Sequence, residues 1–114
     1  MGNITIDFEK NCQSLSISLN IYLRIMNKAV EQTHNDFLEL NAALKESDYE
    51  KMRYVSHRLK GDYDNLRITE IAAMAKEIND IAKTNQDKDK IEDLFLIIKI
   101  KFSEVEKIIF EKTK

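Results

Sequence analysis

Proline is absent from this sequence of 114 residues, and glycine occurs only twice, as Gly2 and Gly61. A β-sandwich needs turn residues of these kinds, and a dinucleotide-binding sheet needs glycine-rich connections. Their scarcity argues against both folds and predicts long helices joined by polar turns. A chain of this length is expected to form one domain, residues 1–114, with a core that needs no disulfide or metal to hold it.

The sequence also lacks the features of secreted, membrane and nucleic-acid-binding proteins. Its single cysteine, Cys12, excludes an internal disulfide and fits a reducing compartment. No apolar run approaches the ~20 residues that span a bilayer, and no signal peptide opens the chain. A formal charge of −2 leaves no basic excess for nucleic acid. We therefore expect a cytoplasmic protein without membrane or nucleic-acid contacts.

Apolar residues recur at helical spacing through the first half of the chain. Ile4, Ile6 and Phe8 predict a short segment lying across a bundle, and residues 11–18 are mostly polar, which predicts a turn. Residues 18–46 then form either one very long helix or two nearly collinear helices that part near residues 33–36. The residues expected to face the core there are Leu19, Tyr22, Met26, Ala29, Val30, Thr33, Phe37, Leu40 and Leu44.

The second half of the chain continues this pattern. A helix from Asp48 to about Leu66 follows the turn at residues 46–48, with Ser47 or Asp48 expected to be its N-cap. Thr69 is expected to cap the next helix. Residues 83–88 contain no apolar side chain and predict a loop before a final helix at about residues 89–112. The fold class is therefore all-α: an antiparallel four-helix bundle with a short extra N-terminal helical segment.

The most informative stretch is Ser56-His57-Arg58-Leu59-Lys60-Gly61. Val55 and Leu59 belong to the apolar face of their helix, and His57 lies two residues from each, a rotation of about 200°. The imidazole should therefore point to water, with Lys60 and Gly61 beside it. A glycine inside a helix costs roughly 1 kcal/mol relative to alanine. Close approach of another molecule to His57 would explain why that cost is accepted.

These residues resemble the histidine-containing phosphotransfer (HPt) domain. The resemblance rests on His57-Arg58-Leu59-Lys60-Gly61, on Asn65-Leu66, and on a downstream amphipathic pattern, and it extends from about Ile6 to the C-terminus. The downstream pattern consists of Ile71, Ala72, Met74, Ala75, Ile78 and Asn79.

The resemblance implies a phosphoryl carrier of two-component phosphorelays. His57 would accept a phosphoryl group, through Nε2, from the aspartyl phosphate of a receiver domain and pass it to another receiver. Lys60 would neutralise the phosphoryl oxygens, Gly61 would admit the partner, and Asn79 stands where the family has a Gln or Glu that holds the imidazole. The chain has no ATP-binding motif, no metal motif and no cofactor of its own. The receiver would supply Mg²⁺.

The sequence also departs from the family. Asp62 and Tyr63 replace small residues after the glycine, and Arg67 stands where a second glycine often occurs. Tyr63 is expected to pack in the core. Asp64 is expected to oppose a phosphoryl anion, although exposed charges at that range are screened.

A second apolar stripe on the long helix comprises Ile17, Ile21 and Ile25. Either the N-terminal segment covers it, or it is exposed and a receiver docks on it. His34 is expected to be a half-exposed helix residue.

Another class of function is also open. A helical adaptor would bind a receiver or a kinase domain without being phosphorylated, but it would have no evident need for Gly61 beside His57. The expected partners are receiver domains and a hybrid sensor histidine kinase, and the expected state is a monomer. The sequence leaves open the direction of phosphoryl flow and whether the chain stands alone or is part of a hybrid kinase.

Overall fold

The computed structural model describes residues 3–84 and 86–114, which contain five helices and no strand. The helices are α1 (Phe8–Leu15), α2 (Leu19–Glu46), α3 (Tyr49–Asn65), α4 (Thr69–Ala82) and α5 (Lys88–Thr113). Within these residues, no helix is both long and apolar enough to cross a membrane. The predicted all-α class and the extra N-terminal helical segment are confirmed.

Helix α1 corrects the turn predicted at residues 11–18, because it continues to Leu15. The Asp7 side chain caps its first turn by accepting a hydrogen bond from the Lys10 amide at 3.0 Å. Asn11, which reads as a loop residue, is buried, and its side chain donates to the Tyr22 hydroxyl at 3.0 Å. A polar side chain can enter the interior when its hydrogen bonds are satisfied there.

Helix α2 is one continuous helix of 28 residues, which decides between the two alternatives left by the sequence. Thr33, in the region of the suspected break, donates its hydroxyl to the Ala29 carbonyl oxygen at 2.6 Å without interrupting the helix. Tyr22 and Met26 are fully buried, as predicted. Leu19 was predicted to face the core but is 39% exposed, because it lies in the first turn at the rim of the bundle.

The turns before α3 and α4 are built differently. Asp48 caps α3 by accepting a hydrogen bond from the Lys51 amide at 3.0 Å, which decides between the two predicted caps, because Ser47 ends α2. Thr69, predicted to be a cap, is instead the first residue of α4, and the N-cap is the buried Ile68, which makes no side-chain capping bond. The left-handed backbone at Arg67 (φ 62°) turns the chain so that Ile68 enters the core at the start of α4.

The connection before α5 agrees with the predicted loop at residues 83–88, except that Lys88 is the first residue of the helix. Asn85 lies outside the described residues. The helix then runs to Thr113, close to the predicted end. Its inward residues include Ile91, Ile98 and Val105, which are fully buried.

The four long helices pack around one shared core. Helix α3 lies between α2 and α4, and α5 lies between α4 and α2, diagonally opposite α3 in the bundle. The N-terminal residues close one end, where Ile4 is buried and its amide donates to Glu104 Oε1 at 2.6 Å. Helix α3 therefore has one face in the core and one face open to solvent.

Candidate functional site

His57 lies on the solvent-facing side of α3. Its neighbours at −2 and +2, Val55 and Leu59, are fully buried, whereas His57 itself is exposed. Among the residues that the structure describes, none makes a hydrogen bond to the imidazole. The sequence-based placement of an accessible imidazole on the outer face of the bundle thus agrees with the structure.

Gly61 lies one turn after His57 and is also exposed. A Cβ built on it would meet no atom within 4 Å beyond its own helical turn and chain neighbours. Packing within the chain therefore does not require a glycine here, and neither does the backbone, since its φ is not positive. Its helix penalty of about 1 kcal/mol has no internal compensation. The missing side chain leaves free space beside the imidazole.

Lys60 is close to His57 in sequence, but its ammonium group is occupied. The Lys60 Nζ donates to Asp64 Oδ2 at 2.7 Å, an ion pair between neighbouring turns of α3. Asp64 was expected to oppose a phosphoryl anion directly. The structure adds a second effect, because Asp64 competes for the lysine that such an anion would need.

The imidazole borders an open depression of about 620 Å³ between α3 and α4. Two cationic side chains, Arg53 and Lys83, line it together with His57, and sequence reasoning had not assigned Lys83 to the site. Lys83 follows the last turn of α4, so its place beside His57 could be predicted only with the packing of α4 against α3 in hand. The remaining lining residues are Glu50, Tyr54 and Asn79.

Asn79 reaches this depression but binds the backbone of α3. Its Nδ2 donates to the Arg53 carbonyl oxygen at 2.8 Å, and the side chain is nearly buried. In the regular α-helical pattern, the Arg53 carbonyl also accepts the backbone N–H of His57. Asn79 thus fixes the turn that carries His57, and within the described residues no hydrogen bond joins it to the ring.

Arg58, the residue after His57, ties α3 to α2. Its Nε donates to Asp36 Oδ1 at 2.7 Å, and its terminal amino group also contacts Asp36 and Glu39. The Asp36 side chain is completely buried, and Gln32 donates to the same oxygen at 3.0 Å. Partial burial alone would lower the pKa of Arg58, but the hydrogen bonds to the two carboxylates raise it above its ordinary value. Arg58 therefore stays charged and immobilised.

The comparison with protein families decides the identity of this arrangement. Residues 24–107, more than half of the chain, match the family model described as "Hpt domain". This chain belongs to the Hpt domain family. Searches of curated proteins and of solved structures find no match. Hpt domains carry out phosphotransfer in two-component signalling and interact with receiver domains, and the matched range contains the whole of α3 and α4.

Two departures from the usual Hpt sequence now have a structural explanation. Tyr63 packs in the core as predicted, 1% exposed, with its hydroxyl 2.7 Å from the Thr33 hydroxyl, and burial raises its pKa. Arg67 adopts the left-handed conformation (φ 62°) that explains the usual preference for glycine at such a position. Its side chain compensates in part by donating to Ser14 Oγ and to the Asp64 carbonyl oxygen.

The second apolar stripe of this Hpt domain is only partly covered. Ile17 is half-buried and packs on the core, whereas Ile21 and Ile25 are 45% and 43% exposed. Eleven residues make about three helical turns, so Ile25 lies on the same side of α2 as Asp36, about 16 Å along the axis. The exposed isoleucines therefore share the α3-facing side of α2 with the residues that hold Arg58.

The second histidine of the Hpt domain lies elsewhere. His34 is exposed on α2, its Nε2 is 2.8 Å from Glu106 Oε2, and its ring packs edge-on against Phe102 at 5.1 Å. These contacts place it against α5, on the side away from α3. His34 thus provides an internal comparison for His57, whose exposed imidazole has no hydrogen-bond partner within residues 3–84 and 86–114.

Proposed function

We propose that this Hpt domain accepts a phosphoryl group on His57 Nε2 from the aspartyl phosphate of one receiver domain and donates it to another. The observation that carries the proposal is the exposed imidazole with an open space one turn away at Gly61. A receiver must bring its aspartate to within bonding distance of the ring. The open space on this face of α3 supports that approach.

The bonds formed and broken in the transfer balance without a cofactor bound to this chain. The Nε2 lone pair attacks phosphorus, an N–P bond forms, and the P–O bond to the receiver's aspartate breaks, leaving that carboxylate with the electron pair. The proton on Nδ1 stays in place, so the domain needs no general base. Phosphoryl transfer depends on positioning and charge neutralisation, and the receiver would contribute Mg²⁺ and its acidic pocket.

Residues of the Hpt domain would assist in different ways. Lys60 would exchange Asp64 for the phosphoryl oxygens, and its flexible ammonium suits that role. Asn79 would act as a positioning residue through the Arg53 carbonyl. Ile21 and Ile25, with Ile17 at their buried edge, would pack against the receiver. A hybrid sensor histidine kinase would supply one of the receivers, and the domain would work as a monomer in the cytoplasm.

A relay experiment tests the proposal. A receiver carrying labelled aspartyl phosphate is mixed with a second, unlabelled receiver and a substoichiometric amount of the Hpt domain. Label should move to the second receiver with the wild type and with His34→Gln, but not with His57→Gln. His34 is the matched control because it is the other histidine of the chain and is also exposed.

The same experiment separates the relay from the adaptor. An adaptor would bind the receiver equally well with or without His57, and the wild type would carry no label at any time. Binding of the receiver to the His57→Gln variant, measured by calorimetry, shows whether lost transfer reflects lost chemistry or lost association. Transfer that persists in His57→Gln would contradict the proposal.

A further inference from the structure

Tyr54 is an exposed aromatic residue beside His57. It precedes His57 by three residues on α3, so their side chains are neighbours on the helix surface. Tyr54 is 64% exposed and lines the same depression as His57. A receiver domain that docks around His57 would therefore come within reach of this ring.

The Tyr54 ring is held in place by Arg58, which is itself held by two carboxylates of α2. The Arg58 guanidinium carbon lies 5.2 Å from the ring centroid, a cation–π contact. Arg58 in turn is fixed by the buried Asp36 and by Glu39. The exposed ring thus rests on a cation whose own position is set by two carboxylates of the neighbouring helix.

A held and exposed tyrosine has the properties of a strong interface residue. Tyrosine and arginine are enriched among the few residues that dominate binding energies. Tyrosine in particular buries a large area with few rotatable bonds. Ordering a side chain before binding lowers the entropy lost on association. Most exposed aromatic residues have no such role, but this one combines a fixed ring with a position one turn from the reacting atom.

We propose that Tyr54, supported by Arg58, is a docking contact for the receiver and determines how tightly a phosphorylated receiver binds. This inference rests on the proposed function. The receiver surface around its aspartyl phosphate would present an apolar side chain to the ring. Tyr54 would contribute to association, and the transfer step would stay with His57.

The test separates association from chemistry. Steady-state transfer is measured at varied receiver concentration for the wild type, Tyr54→Ala, Tyr54→Phe and Arg58→Lys. Tyr54→Ala should raise KM about tenfold with kcat changed less than twofold, and Tyr54→Phe should behave like the wild type because the ring is retained. Arg58→Lys keeps the charge but loses the forked hydrogen bonds, so KM should rise by about threefold.

Phe110→Ala is the matched control. Phe110 is 65% exposed and also has a lysine, Lys114, over its ring at 5.6 Å, but it lies on α5, which is diagonally opposite α3 in the bundle. Its removal should leave KM and kcat unchanged. An equal rise of KM in Phe110→Ala and Tyr54→Ala would contradict a specific docking role.

Phosphorylation by phosphoramidate, a small donor that needs no partner, gives the second readout. Tyr54→Ala should be labelled on His57 at the wild-type rate. An unchanged KM in Tyr54→Ala, or loss of phosphoramidate labelling together with receiver transfer, would overturn the docking role. A wild-type domain labelled by phosphoramidate but by no receiver would contradict the proposed function itself.

Discussion

Gly61 lies one turn after His57 on the open face of α3, and a methyl group added there would touch nothing outside its own helical turn and chain neighbours. The chain therefore carries a helix-weakening residue that its own packing does not need. We predict that Gly61→Ala raises the free energy of unfolding by about 1 kcal/mol, the difference in helix propensity. We also predict that it lowers kcat/KM for receiver transfer at least tenfold. Chemical denaturation and transfer kinetics measure the two effects.

Ser103→Ala is the control for this substitution, because Ser103 is exposed on α5, away from α3. It should change stability slightly and leave transfer intact. A Gly61→Ala variant that is both more stable and fully active would show that the open space has no role in the approach of the receiver.

The Lys60–Asp64 pair predicts how far phosphoryl transfer proceeds. Because Asp64 competes for Lys60, Asp64→Asn should free the lysine and shift the equilibrium between receiver aspartyl phosphate and phosphohistidine toward His57. The shift should be about 1.4- to fivefold, since exposed ion pairs contribute about 0.2–1 kcal/mol. Glu70→Gln makes the same change in charge and breaks the Lys101–Glu70 pair between α5 and α4, neither residue of which lines the depression beside His57, so it should leave the equilibrium unchanged. Equal shifts in both variants would argue against competition at Lys60.

The left-handed backbone of Arg67 predicts a stability difference. A side chain other than glycine costs roughly 1–2 kcal/mol in this conformation. Arg67→Ala and Arg67→Gly both remove the hydrogen bonds to Ser14 and to the Asp64 carbonyl, so the comparison isolates the backbone. The glycine variant should unfold at a higher denaturant concentration than the alanine variant, because its free energy of unfolding should be about 1 kcal/mol larger. Equal midpoints would contradict the strained turn.

Asp62 predicts a pH dependence of stability. Its partial burial, together with the charge of Asp36, raises its pKa above the ordinary 3.8, although Arg58 opposes the shift. Ionisation of Asp62 in the folded state therefore reduces stability as pH rises through the raised pKa. Asp62→Asn should be more stable than the wild type at pH 7, by under about 1 kcal/mol because the carboxylate is partly solvated. This difference in the free energy of unfolding should disappear as the pH falls to 3.8, the ordinary pKa of the aspartate side chain. A gain independent of pH would point to another cause.

The helical bundle could be predicted from the sequence because its apolar residues recur at regular helical spacing. The α2 stripe and the α3 face of Met52, Val55 and Leu59 need only the 3.6-residue period, and the same period turns His57 outward. The acidic turn before α3 also follows from a local rule, since Asp48 has the side chain of an N-cap.

The features that the sequence does not reveal depend on contacts between distant residues. Asn11 in α1 is tolerated in the interior because Tyr22 accepts its hydrogen bond. Asp36, in a region considered as a break in α2, is instead the buried partner of Arg58, 22 residues further along the chain. Neither pairing can be predicted without the register of the neighbouring helices. The contact between Tyr54 and Arg58 follows from the helical period, since they are four residues apart on α3, but the carboxylates that hold Arg58 lie on α2.

The most direct test of the central claim is the location of the phosphoryl group. The domain is incubated with a phosphorylated receiver, digested under alkaline conditions that preserve phosphohistidine, and analysed by tandem mass spectrometry. We predict that the phosphoryl group is on the peptide containing His57, and that its ³¹P signal in the intact protein identifies attachment through Nε2. A phosphoryl group found on His34 or another residue, or none despite binding of the receiver, would contradict the account.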